Sequence, residues 1–312
     1  MKKLSLILFC LITTISYSQE NVNDAKSLVQ AYVSPLGESM GAALNNGWSN
    51  TAKPHKLGGF DVTFIMNLAI IPSQSKEFNI SEVGGSTFKG GETATILGNK
   101  NGGTESTSSI NGIEADFDMP NGLNISAIPL PIIQAGIGLI KGTQINARYF
   151  PETKLGNGIK VNLFGIGIQH DILQWIPILG SMPIDASIQA GFTTLNTSMD
   201  IKDVNSDTGI KSELGVTATT INLLLSKKLL MFTPYAGIGY NSSNMQFNVM
   251  GDYEIGGVSI PVADITDFDL DSSQELKANI GFRFNITALA LQANYTLSKY
   301  PVATIGAGIS IR

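Results

Sequence analysis

From Gly58 to the C-terminus, apolar and polar residues alternate with a period of two, which predicts strands that separate an apolar surrounding from a polar one. Phe60, Val62, Phe64, Met66, Leu68 and Ile70 oppose Asp61, Thr63, Ile65, Asn67 and Ala69. Ile133, Ala135, Ile137, Leu139, Ile145, Ala147 and Tyr149 share one parity against Gln134, Gly136, Gly138, Gln144, Asn146 and Arg148, with Lys141-Gly142 as the turn between two strands. Leu276, Ala278, Ile280, Phe282, Phe284 and Ile286 oppose Glu275, Lys277, Asn279, Gly281, Arg283 and Asn285. These faces reach the 9 to 11 residues that a tilted membrane-spanning strand needs, whereas strands of soluble sandwiches usually stop at about 5 or 6.

Thirteen segments carry strand character: 58–71, 112–118, 122–128, 132–140, 143–150, 158–169, 184–198, 212–225, 231–241, 244–257, 275–286, 288–298 and 302–312. The expected fold is an all-β, transmembrane antiparallel β-barrel of about 12 to 14 strands. The Gly-rich stretch 73–111 reads as a long loop, with shorter loops near 199–211 and 258–273. Before the strands, residues 22–46 have helical period: Leu28, Tyr32, Leu36 and Met40 recur every four residues, and Pro35 should kink or split the helix. Its apolar stripe needs burial, and the lumen is the place predicted. The domains follow as 1–18 signal peptide, 19–57 helical hatch and link, and 58–312 barrel.

Composition agrees with an envelope protein. The chain has 312 residues, 33 Gly, one Cys and only 14% charged residues, against about 25% in soluble globular proteins. Lys2 and Lys3, the apolar run Leu4–Ile15 and the small residues Ser16 and Ser18 have the layout of a cleaved secretory signal. Cys10 would leave with it, so no disulfide or cysteine-based metal site is expected. Loss of Lys2 and Lys3 would take the formal charge from −5 to −7, which gives no electrostatic basis for binding nucleic acid.

Motifs for cofactors are missing, and none is expected. Gly136-Ile-Gly138 lacks the third glycine and the following helix of a dinucleotide fingerprint. Asp264, Asp267, Asp269 and Asp271 cluster, but Ser272 and Ala278 stand where a calcium loop needs Gly and Glu, so a solvated acidic loop is the reading. His170 beside Asp171 admits an outer-membrane hydrolase, although no Gly-x-Ser-x-Gly elbow accompanies it; the blander role is a turn cap next to an interfacial Trp175. Gly136-Ile-Gly138, Gly165-Ile-Gly167, Gly237-Ile-Gly239 and Gly306-Ala-Gly308 either bend strands or clear space in the lumen for the helix or a ligand.

Tyr32-Val-Ser-Pro-Leu-Gly-Glu-Ser-Met-Gly41, Asn45-Asn-Gly-Trp48, the run Asn50–Asp61 and Gln169-His-Asp-Ile-Leu-Gln-Trp-Ile-Pro177 resemble a family of uncharacterised outer-membrane barrels of Bacteroidota-type bacteria. The layout of helix, Asn50-Thr-Ala52 step and first strand is similar to outer-membrane transporters of fatty acids and aromatic hydrocarbons, which implies a small helical hatch. The leading expectation is passive passage of a small solute, hydrophobic ones included. Candidate lumen-facing binding residues are Tyr32, Leu36, Gln134, Gln144, Arg148, Lys277 and Arg283, and Lys277 should be exchangeable for Gln at little cost. The alternatives are a structural or assembly component docking an envelope partner through its loops, and the His170 hydrolase. Outer-membrane lipid and the barrel assembly machinery are expected partners.

Overall fold

The computed structural model describes residues 19–110, 113–155, 159–176, 183–202, 209–250, 252–255, 258–261 and 268–311. The signal peptide and Asp264 and Asp267 of the acidic cluster lie outside them. Ten strands form the barrel: β1 (Phe60–Ile70), β2 (Ala127–Gly138), β3 (Thr143–Leu155), β4 (Ile159–Asp171), β5 (Asp185–Lys202), β6 (Gly209–Ser226), β7 (Phe232–Met250), β8 (Phe268–Ile286), β9 (Leu289–Leu297) and β10 (Val302–Ile311). Each pairs antiparallel with its chain neighbours, and β1 closes the ring against β10, from Phe60 opposite Ile311 to Ala69 opposite Val302. Closure matters because hydrocarbon offers no partner to a free strand edge.

The count is ten, below the twelve to fourteen expected. Segments 231–241 and 244–257 do not form two hairpin arms, because the first and half of the second, up to Met250, run together as β7, with an irregularity at Ser243/Met245 where the sequence suggested a turn. Residues 112–118 alternate in pattern but belong to a small sheet of Phe88–Lys89, Glu105–Ile110 and Ile113–Asp118 outside the barrel. The stretch 73–111, read as loop, also holds the pair Glu77–Asn79 and Glu92–Ala94 and the short helix Ile80–Val83. Residues 268–273, likewise read as loop, are strand.

The predicted faces are those observed. Phe60, Phe64, Ile137, Ile166, Ile188, Leu223, Ile238, Ile280, Phe282 and Ile309 are exposed on the outside, while Asp61, Asn67, Gln134, Arg148, Gln189, Thr220 and Arg283 are buried within. Four strands, β5, β6, β7 and β8, have 18 or 19 residues. Above Phe192, Ile221, Tyr240 and Leu276 their outer positions turn polar: Asn196, Thr219, Ser242, Gln274. The apolar band therefore ends there and the strands continue out of the hydrocarbon. That end also carries the described residues of 71–126, whereas the opposite end, where Phe60 and Ile311 lie, carries residues 139–142, 172–176, 183–184, 227–231 and 287–288. At Lys141 (φ 55°) and Gly142 (φ 60°) two consecutive left-handed residues make the tight hairpin that the sequence predicted. In outer-membrane barrels short turns face inward and long loops outward.

The long N-terminal helix, α1 (Gln19–Leu44), runs unbroken through Pro35. It lies inside the barrel and packs on the inner faces of β1, β2, β6, β7 and β8. Near its start, Ala25 and Leu28 meet Ile80, Phe88, Phe117 and Met119 of the loop sheets, and Asp24 accepts a bond from the Thr87 amide (3.1 Å). Val33, Ala42, Ala43 and Leu44 join Ile65, Leu163, Leu195, Val216 and Met245 of the wall. Gly37 and Gly41, one turn apart, let the helix backbone approach Met245 and Ser243, where a Cβ would collide.

Candidate functional site

A helix end leaves its last carbonyls without intrahelical partners and carries partial negative charge. α1 has no basic residue in its last turn, and the barrel supplies the missing cations. Arg148 on β3 donates to the carbonyls of Leu44 and Asn46 (both 2.8 Å) and to Gln134 Oε1 (2.8 Å). Lys277 on β8 donates to the Asn45 carbonyl (2.9 Å). Asn67 on β1 donates to the carbonyls of Ala43 (2.7 Å) and Asn46 (3.0 Å), and Thr304 on β10 holds Asn67 in turn (2.7 Å). Lys277 is thus bonded and buried, and the expectation that Gln could replace it freely does not hold.

Beyond Leu44 the chain turns through Gly47 (φ 76°) and crosses the rest of the lumen as an extended link. Trp48 fills it. Its indole lies beneath the Arg148 guanidinium, 3.6 Å from the ring centroid, and against Gly165 and Gly167 of β4 and Gly191 of β5, which pairs with Gly167. A Cβ on Gly167 would come within 2.7 Å of the ring. The inner glycines here clear space, as one of the two readings had it, but for Trp48 and not for Tyr32 or Leu36. Tyr32 instead donates to the Asn121 carbonyl of the loop segment (3.0 Å), and Leu36 packs in the apolar core.

Further along, the link is bonded at nearly every residue. Arg283 donates to Asn50 Oδ1 (2.6 Å), Gln169 to the Thr51 carbonyl (2.8 Å), and the Ala52 amide to Ser226 Oγ (3.0 Å). The His55 amide donates to Gln144 Oε1 (2.8 Å), while its ring Nε2 meets Asp61 Oδ1 at 2.8 Å with both side chains buried. The remaining cavity, lined by Trp48, Asn50, His55, Asp61, Gln169 and Arg283 among others, measures about 10 Å³, room for about one water. A larger cleft of about 110 Å³ opens at the loop end between α1 and the wall, lined by Gln30, Ser34, Gly37, Glu38, Ser243, Met245 and Ser273. Beside it Glu38 accepts from Lys299 (2.8 Å) and from Tyr300 (2.8 Å), and burial together with that carboxylate pushes the Tyr300 phenol above its ordinary range.

Gln134, Gln144, Arg148, Lys277 and Arg283 therefore converge on the link, whereas Tyr32 and Leu36 stand in the apolar half. Sequence reading missed Trp48, His55 and Asp61, although a Trp just before the first strand, with inner Gly-x-Gly pairs in the strands, was the available signal. His170 has both ring nitrogens occupied: Nδ1 by Thr143 Oγ1 (2.9 Å), Nε2 by Trp175 Nε1 (2.9 Å) and Gln174 (3.2 Å). Its ring stacks on Trp175, which is the turn-cap arrangement.

A closed ring of lipid-facing strands with its own N-terminal segment bonded through the lumen defines a transmembrane β-barrel of outer-membrane type. The chain belongs to a family of unknown function, DUF6588, whose profile matches residues 1–311. A comparison with curated proteins found no match. Among solved structures the chain is similar to the translocator domain of autotransporter NalP from Neisseria meningitidis, at 8% identity, over 95% of this chain and 100% of that one, with a TM-score of 0.36. The transport unit of autotransporter AIDA-I from Escherichia coli gives 10%, 95%, 99% and 0.37 for the same measures, and the toluene transporter TbuX from Ralstonia pickettii 8%, 82%, 89% and 0.25. Likeness at this level concerns fold alone.

Proposed function

We propose that this protein is an outer-membrane channel for a small solute, closed at rest by residues 19–59, with Arg148, Lys277 and Arg283 as the latch. The observation that carries this is the bonded link: three buried cations from opposite walls grip carbonyls and an amide of one covalently attached segment. A permanent filler could be made of apolar side chains alone. Directed bonds to backbone carbonyls are reversible, since water can replace every one of them.

The lining favours a polar solute over the hydrophobic one that the transporter resemblance implies. Gln134, Gln144, Gln169, Gln189 and Asn222 face the membrane-level lumen, and the cleft at the loop end offers Gln30, Ser34, Ser243 and Ser273. A solute would enter at that cleft and pass when the link lets go. Planar-bilayer recording compares the full-length protein with a variant lacking residues 19–46. The expected result is low conductance for the first and a large rise for the second, with strand content unchanged by circular dichroism. Equal conductance in a folded variant overturns the proposal and moves weight to the second reading, an envelope component that docks a partner through segment 71–126. That reading draws on the loop sheets packed over the start of α1.

A further inference from the structure

We infer that the turn end of the barrel is a collar for anionic phospholipid headgroups. The link 49–59 and the described turn residues 139–142, 172–176, 183–184, 227–231 and 287–288 together carry five lysines and no carboxylate. Lys53 is taken up by Asp185 (3.0 Å). Lys56, Lys141, Lys227 and Lys228 are exposed, and their ammonium groups have no hydrogen bond or ion pair among the described residues. At the other end, segment 71–126 carries seven carboxylates against three lysines.

Placement distinguishes a lipid from a protein partner. Lys56 and Lys141 stand together, because Gly58 pairs with Gly138 across the start of β1. Lys227 and Lys228 sit in the turn between β6 and β7, on the far side of the ring from β1. A protein docks on one face, whereas a leaflet surrounds the barrel. Each lysine group also has a highly exposed apolar neighbour: Leu57 at 70%, Ile140 at 64%, Leu230 at 92%. An apolar side chain that enters acyl chains beside an ammonium at phosphate level is the side-chain order of an interfacial anchor. The occupant is the anionic phospholipid of the leaflet that the short turns face, and its phosphate is what the ammonium groups read.

The test uses the full chain folded in detergent, with lipid adducts counted by native mass spectrometry after addition of phosphatidylglycerol or phosphatidylcholine. The expected result is retention of phosphatidylglycerol over phosphatidylcholine by at least about fivefold. The preference should be lost in the fourfold variant Lys56→Gln, Lys141→Gln, Lys227→Gln, Lys228→Gln and kept in the loop-end variant Lys76→Gln, Lys89→Gln, Lys100→Gln. Equal retention of the two lipids, or a preference that survives the fourfold variant, overturns the inference. Displacement of the bound lipid by millimolar inorganic phosphate alone overturns it too, because the site would then read free anion. Channel activity does not enter these readouts, so the collar stands or falls apart from the proposed channel.

Discussion

The two halves of the lumen are filled by different chemistry. Toward the loops, α1 lies against Leu195, Val216 and Met245 chiefly through apolar contacts without direction. Toward the turns, the link 45–59 is held by directed bonds to Arg148, Lys277, Arg283, Asn67, Gln144 and Gln169. Apolar packing tolerates sliding and repacking, because its energy follows area more than angle. A buried charge tolerates neither, since loss of its partner leaves it unsolvated. The lower half therefore sets position, and the upper half supplies much of the burial.

The sharpest way to break this contrast is Arg148→Met, which leaves the Leu44 carbonyl and the Gln134 amide oxygen without a donor and the Asn46 carbonyl with Asn67 alone. A loss of about 2–5 kcal/mol is expected, at about 1–3 for each buried acceptor left unmet, read as a lower urea midpoint for unfolding from micelles. On the apolar side, Leu28→Ala should cost about 3 kcal/mol but act locally, with protease cutting near residue 25 while Trp48 fluorescence stays unchanged. A simultaneous change in Trp48 would mean that the halves are coupled. Gly191→Val places a branched side chain where the indole lies, and should cost about 2 kcal/mol and expose Trp48 to iodide quenching. Smallest is Tyr300→Phe, which deletes one hydrogen bond to Glu38 for about 1 kcal/mol. The Tyr300 phenol is raised in the folded state, so its contribution is complete below its ordinary pKa of 10.0 and fades as pH climbs above that value. Alkaline titration of the stability of wild type and Tyr300→Phe should show the difference shrinking above about pH 10.

Much of the barrel wall was legible in the chain because membrane and lumen impose opposite demands on alternate residues. Phe282 and Arg283 could only point apart, and they do. Strand number was less legible. Ser242, Ser243 and Asn244 are polar on both parities, which in water-exposed strand looks like a turn, yet β7 carries on through them. The link was least legible of all. Trp48 meets Gly165, Gly167 and Gly191 more than a hundred residues later, and His55 becomes a partner of Asp61 only once the link turns back into β1. Contacts of that kind have no period for a sequence to display.

The path of the chain also makes the fitting mechanically one-sided. The start of α1 is at the loop end, and its other end is tied through the link to β1 at the turn end. Tension applied from the loop side draws the link taut against a strand whose ladder is sheared as a whole, with β2 and β10 loaded together. Tension from the turn side loads the Arg148, Lys277 and Arg283 bonds one after another, each failing alone. Like a stopper on a chain, the segment should withstand a pull in one direction at forces that free it in the other.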